Sequence, residues 1–131
     1  MKAICLATQL TQEQHAEAHA DPRFAPTYNM TKGKEYLVLG ISFIRNSPIY
    51  GNATLFEIED NAGLCVSTPS TLLEISDATP SKWWIARQEK DWFRLWPDEL
   101  HAEYFHDDFN SRRADAVEKF QRVKQRLESE G

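Results

Sequence analysis

The run Glu35-Tyr36-Leu37-Val38-Leu39-Gly40-Ile41-Ser42-Phe43-Ile44 decides the fold class. It alternates with a period of two, and Leu37, Leu39, Ile41 and Phe43 fall on one face of an extended strand. Asn46-Ser47-Pro48 ends it. Ala53 to Glu59 follows as a second strand with Phe56 and Ile58 inward, and Asp60-Asn61-Ala62-Gly63 reads as a turn with Gly63 at positive φ. Leu64 to Ser67 returns as a third strand closed by Pro69, and Leu72 to Ile75 gives a short fourth. Lys82 to Arg87 and Trp92 to Leu95 form a fifth and sixth, paired across Glu89-Lys90-Asp91. Short strands joined by tight turns predict a curled antiparallel sheet or small barrel.

Upstream of the core, residues 3–7 (Ala-Ile-Cys-Leu-Ala) read as a short strand, and Thr11 with Gln14 forms a capping box for a helix reaching about Ala20. Residues 21–33, with Pro22, Pro26, Asn29 and Gly33, form a connecting loop. Downstream, Pro97 opens a short helix through about Phe105, and Asn110 or Ser111 caps a longer one. Val117, Phe120, Val123 and Leu127 make its narrow apolar stripe. The fold class is therefore α+β: an antiparallel core over 31–96 with C-terminal helices over 97–131 packed on it and an N-terminal strand, helix and loop over 1–30. All 131 residues form one domain.

Twenty acids against fifteen Lys and Arg give a net charge of −5. That disfavours nucleic acid, since phosphate contacts need a basic surface. The charge is uneven. Pro97 to Asn110 holds five acids (Asp98, Glu99, Glu103, Asp107, Asp108) and no Lys or Arg, whereas Arg112 to Arg126 holds six bases and two acids. Such a dipolar surface suits a charged protein partner. The apolar run Ala3 to Ala7 is too short for a signal peptide, and no run approaches membrane-spanning length, so the expectation is a cytoplasmic protein without a membrane partner. Cys5 and Cys65 have no metal-type or Cys-x-x-Cys spacing and read as two buried free thiols.

The motifs Gly33-Lys34-Glu35-Tyr36, Phe56-x-Ile58-x-Asp60-Asn61, Pro69-x-x-x-Leu73-Glu74-Ile75-x-Asp77 and Pro80-Ser81-x-Trp83 follow one another in this order. They precede Glu99 to Phe109 and a charged helix ending Arg126-Leu127-Glu128. Over residues 31–128 this resembles a group of small bacterial and phage-encoded SH3-like proteins, some of which look like immunity proteins of polymorphic toxin systems. The chain departs from the group at Leu72-Leu73, where Phe is more usual, and residues 1–30 have no counterpart in it. The resemblance implies an SH3-like partial barrel and a protein partner. Its motifs name no chemistry.

No catalytic set stands out. There is no Gly-x-Ser-x-Gly, and Gly33-Lys34 lacks the upstream glycine of a P-loop. His15 and His19 lie four apart on a helix face, but His15-x-Glu17-x-His19 is not the metalloprotease pattern and reads as solvated surface. His101 and His106, five apart, point about 140° from each other on one helix. No cofactor and no metal site is expected. The expected function is a non-enzymatic protein-binding module that neutralises a toxin, with Asp98, Glu99, Glu103, Asp107 and Asp108 meeting a basic partner and Trp84, Trp92 or Trp96 anchoring the contact. The alternatives are an SH3-like adaptor or phage assembly component that binds a peptide or itself, and a small enzyme using His101 or His106 with nearby carboxylates.

Overall fold

The computed structural model describes residues 1–102 and 105–130. Among the described residues, eight strands and three helices follow in the order β1 (Lys2–Cys5), α1 (Gln12–Ala18), β2 (Glu35–Leu37), β3 (Gly40–Ser47), β4 (Gly51–Glu59), β5 (Cys65–Pro69), β6 (Leu73–Asp77), β7 (Trp84–Glu89), β8 (Trp92–Pro97), α2 (Phe105–Asn110) and α3 (Ala114–Glu128). Short 3₁₀ turns at Ser70–Leu72 and Asp98–His101 join the elements they touch. The class is α+β, with every strand pair antiparallel.

The strands form two open sheets among the described residues, not one closed barrel. β2-β1-β6 is three-stranded and β5-β4-β3-β8-β7 is five-stranded. The division falls inside the run that reads as one long strand. Tyr36 and Val38 enter the cluster between the two sheets, while Leu37 and Leu39 enter the cluster under the helices. Ile41 then joins the sheet–sheet cluster. The alternation therefore flips at Leu39-Gly40, and Leu37, Leu39, Ile41 and Phe43 do not share a face. Gly40 sits where the chain enters the second sheet, because a Cβ there would lie 2.6 Å from Trp96 Cδ1. The first strand is no appendage. β1 is central in its sheet and buries Ala3 and Cys5 in the core.

The five-stranded sheet is covered in part on both faces, giving three layers. The three-stranded sheet packs on one face through Ala3, Tyr36, Val38, Ile41, Phe56 and Ile58. The helices pack on the other through Leu39, Trp96, Leu100, Phe109, Phe120 and Val123. In α3, Ala116, Phe120, Val123 and Leu127 are buried and Val117 lies at the edge of the cluster.

Local expectations fare variously. Thr11 and Gln14 make the reciprocal capping box, although α1 ends at Ala18, before the expected Ala20, and buries no side chain. Gly63 has φ +78°. The β7–β8 hairpin pairs Glu89 with Trp92 across a two-residue turn. The residue preceding α3 is Arg113, with no side-chain cap. Asn110 is diverted instead: its side chain accepts from Cys65 N–H at 2.9 Å and donates to Cys65 O at 3.1 Å, fastening the end of α2 to β5. The chain after Pro97 makes a 3₁₀ turn, not an α-helix reaching Phe105. No helix among the described residues is long and apolar enough to cross a membrane.

Candidate functional site

β8 places Trp92, Arg94 and Trp96 on one face, since side chains two apart along a strand point the same way. The Arg94 guanidinium is stacked between the rings, 4.1 Å from the Trp92 centroid and 4.4 Å from that of Trp96. Burial pushes its pKa below the ordinary arginine value, and the Glu57 carboxylate opposes that shift. It stays charged at neutral pH. Trp96 is the floor of a concave surface lined by Ser67, Arg94, His101, His106 and Asp107. The His101 ring stacks on it at 5.6 Å, and the His106 ring lies at 5.1 Å. His101 Nε2 donates to the carbonyl of Ile85 at 2.8 Å, which settles where its proton sits.

Beneath this hollow lies Glu57, with none of its side chain exposed. It stands on β4 between Gly40 of β3 and Ser67 of β5. Its Oε1 accepts from Ser67 Oγ at 2.7 Å and more weakly from Ser42 Oγ at 3.4 Å, and its Oε2 meets His106 Nε2 at 3.1 Å. Ser42 Oγ in turn accepts from Trp96 Nε1 at 3.0 Å. A buried carboxylate needs such partners, because an unpaired one costs several kcal/mol. The Cys65 thiol is close by. Burial, then the charges of Glu57, Glu59 and Asp60, push its pKa well up.

The acidic segment does not form one free face. Asp98 pairs with Arg87 at 3.1 Å on open surface, and Asp108 lies 4.0 Å from Arg113. Glu99 receives both Nη atoms of Arg126 at 2.9 Å, and that guanidinium also lies 4.5 Å from the centre of the Trp83 ring. Asp107 borders the hollow. Glu103 lies outside the described residues. The tryptophans are likewise occupied. Trp96 is buried, and its ring is covered by His101, His106 and Arg94. Trp84 is half-buried and donates from Nε1 to Leu39 O at 2.9 Å, and Trp92 is half-buried against Arg94.

The Arg126 hydrogen bonds hold the Glu99 carboxyl below its ordinary value of 4.5. A depressed pKa makes the stabilising contribution complete above the ordinary glutamate range and removes it as pH falls through and below that range. With both side chains partly exposed the contribution is about 1 kcal/mol or less. Glu99→Gln should therefore lower Tm slightly at neutral pH and by less at about pH 3. Paired melts at the two pH values check this, and an equal difference at both would disprove it.

A second concavity of about 220 Å³ lies on the opposite side of the five-stranded sheet, between α1, the 20–28 segment and β4. Phe24, Tyr28, Ile49 and Tyr50 wall it, and Phe24 meets Tyr50 edge to face at 5.7 Å. His15 also lines it, and neither of its ring nitrogens has a partner among the described residues. Thr54 on its rim pairs in register with Phe43, which pairs with Phe93. The two Phe rings lie 6.1 Å apart and are 44% and 36% exposed.

Sequence reasoning missed Glu57, Cys65, Ser67 and Arg94 as neighbours in one site, along with Phe43 and Phe93 as surface elements. A signal for Glu57 exists. Leu55 and Phe56 are adjacent large apolar residues in one strand, the mark of a strand buried on both faces. A Glu in such a strand is enclosed. No protein-family model, curated protein or solved structure matches the chain.

Proposed function

We propose that this chain is a non-enzymatic protein-binding module that inhibits its partner, in the manner of an immunity protein. The observation that carries the reading is the exposed Phe43–Phe93 pair, which continues through Thr54 into the aromatic concavity at Tyr50. This band lies on the side of the sheet away from α2 and α3. Exposed aromatics beside a recess that accepts one side chain are the usual make-up of an interface hot spot. The net charge of −5 favours approach to a basic domain such as a nuclease toxin. The resemblance to SH3-like immunity proteins points the same way, with the five-stranded sheet as its SH3-like part.

The contact surface differs from an acidic one. Asp98, Glu99 and Asp108 already have arginine partners, so they offer little to a second cation. Once the partner is identified by affinity capture from the host, Phe43→Ala with Phe93→Ala should weaken binding at least about tenfold at unchanged Tm. Charge reversal at Glu103 and Asp107 should change it far less. The reverse outcome would return the contact to the acidic segment, and no loss in either variant would end the docking proposal.

One observation favours a second reading, a small enzyme. His101 and His106 share a hollow with Arg94 and Ser67, and His106 is hydrogen-bonded to a buried Glu. A histidine oriented by a carboxylate beside a cation is suited to general acid–base work on an anionic substrate.

A further inference from the structure

Three side chains from three elements converge beneath the hollow. Glu57 comes from β4, Cys65 from β5 and His106 from α2. One carboxylate oxygen, the thiol sulfur and one imidazole nitrogen lie within 4.8 Å of one another. We propose that Glu57, Cys65 and His106 bind one divalent transition-metal ion of the zinc type. The inference rests on neither functional reading above, since the docking band lies on the other side of the sheet and the ligand set stands whether or not the hollow is catalytic.

The geometry fits with small movements. Bonds of about 2.3 Å to sulfur and about 2.0 Å to nitrogen and oxygen place tetrahedral ligand atoms about 3.3–3.6 Å apart. Glu57 Oε2 and His106 Nε2 are already 3.1 Å apart. The chemistry fits as well. Thiolate with imidazole selects zinc, cobalt and their neighbours over magnesium or calcium, which favour all-oxygen sites. On binding, the thiol proton leaves to solvent as the sulfur–metal bond forms, and the neutral imidazole carries its one proton on Nδ1 while Nε2 turns from donor to ligand.

The supports resemble those that hold ligands in place elsewhere. Ser67 grips Glu57 through Oε1 and leaves Oε2 to face His106. Asn110 holds the backbone of Cys65 at two points. Among the described residues, Glu57 has no Lys or Arg ion pair, and the carboxylates of Glu59 and Asp60 add negative potential around the thiol. Three protein ligands leave a fourth position open, and His106, with Ser67 beside it, borders the hollow above.

The test uses the full chain, cleared of metal with a chelator and titrated with Co²⁺, whose thiolate complexes absorb strongly in the near ultraviolet. One Co²⁺ per chain with a thiolate charge-transfer band is expected in the parent and in Cys5→Ser. The band should vanish in Cys65→Ser, and affinity should fall at least about tenfold in His106→Ala. Zn²⁺ should displace Co²⁺ and raise Tm in the parent but not in His106→Ala. Absence of the band in the folded parent, its loss in Cys5→Ser, or undiminished affinity in His106→Ala overturns the proposal. If Cys65→Ser does not fold, the parent, Cys5→Ser and His106→Ala decide the matter alone.

Discussion

Phe120→Ala is expected to remove about 3–5 kcal/mol of folding stability. Phe120 is fully buried on α3, and its ring stacks on Phe109 of α2 with centroids 4.1 Å apart. Phe109 in turn stacks on Phe105 at 6.3 Å. This column is what holds α2 and α3 together over the sheet. Deleting one ring loses its transfer free energy and leaves a cavity whose walls, rigid strand on one side and helix on the other, cannot close on it. Against a total of about 5–15 kcal/mol the loss is severe, and chemical denaturation of the two proteins measures it. Val117→Ala, at the edge of the same stripe, should cost about 1 kcal/mol. Similar losses from both substitutions would mean that α3 does not use this face.

The contrast between Phe120 and Val117 shows how far a periodic pattern carries. The stripe on α3, the β7–β8 hairpin, the Asp60 to Gly63 turn and the Thr11 capping box are local features. Each is set by residues within a few positions of one another, so a single chain displays them. What the sequence conceals is which layer each face meets. Glu35 to Ile44 reads as one strand with Leu37, Leu39, Ile41 and Phe43 on one face, yet the chain crosses between sheets at Leu39-Gly40 and reverses its facing. Nothing local marks the crossing except Gly40, whose reason is the Trp96 ring more than fifty residues away in sequence. The same blindness affects the site. Glu57 reads as the solvent side of an amphipathic strand because Phe56 and Ile58 are inward, and it is enclosed because α2 lies across that side. The acids of the 97–110 segment look free in sequence, while Arg87, Arg113 and Arg126, their partners, come from other elements.

Glu57 is where stability and function can be separated. Glu57→Ala should lower stability by about 3–5 kcal/mol, because it strands the hydroxyl of Ser67 and the imidazole of His106 around a void. Glu57→Gln keeps the shape and one acceptor oxygen, so its loss should be nearer 1–2 kcal/mol, or about 4–8 °C in Tm. A carboxylate here is an expensive way to join a helix to a sheet, since well-packed apolar side chains do that as well or better. Its presence between Ser67, His106 and Cys65 is economical only if the negative charge has a use. The amide of Glu57→Gln is a poor metal ligand and cannot balance a cation. The variant should therefore stay folded by circular dichroism while Co²⁺ affinity drops at least about tenfold. Intact Co²⁺ affinity in Glu57→Gln would assign the carboxylate to architecture, as the clasp between α2 and β4. A large loss of fold in both variants, of equal size, would show that the charge itself holds His106 in place and that the helices depend on it.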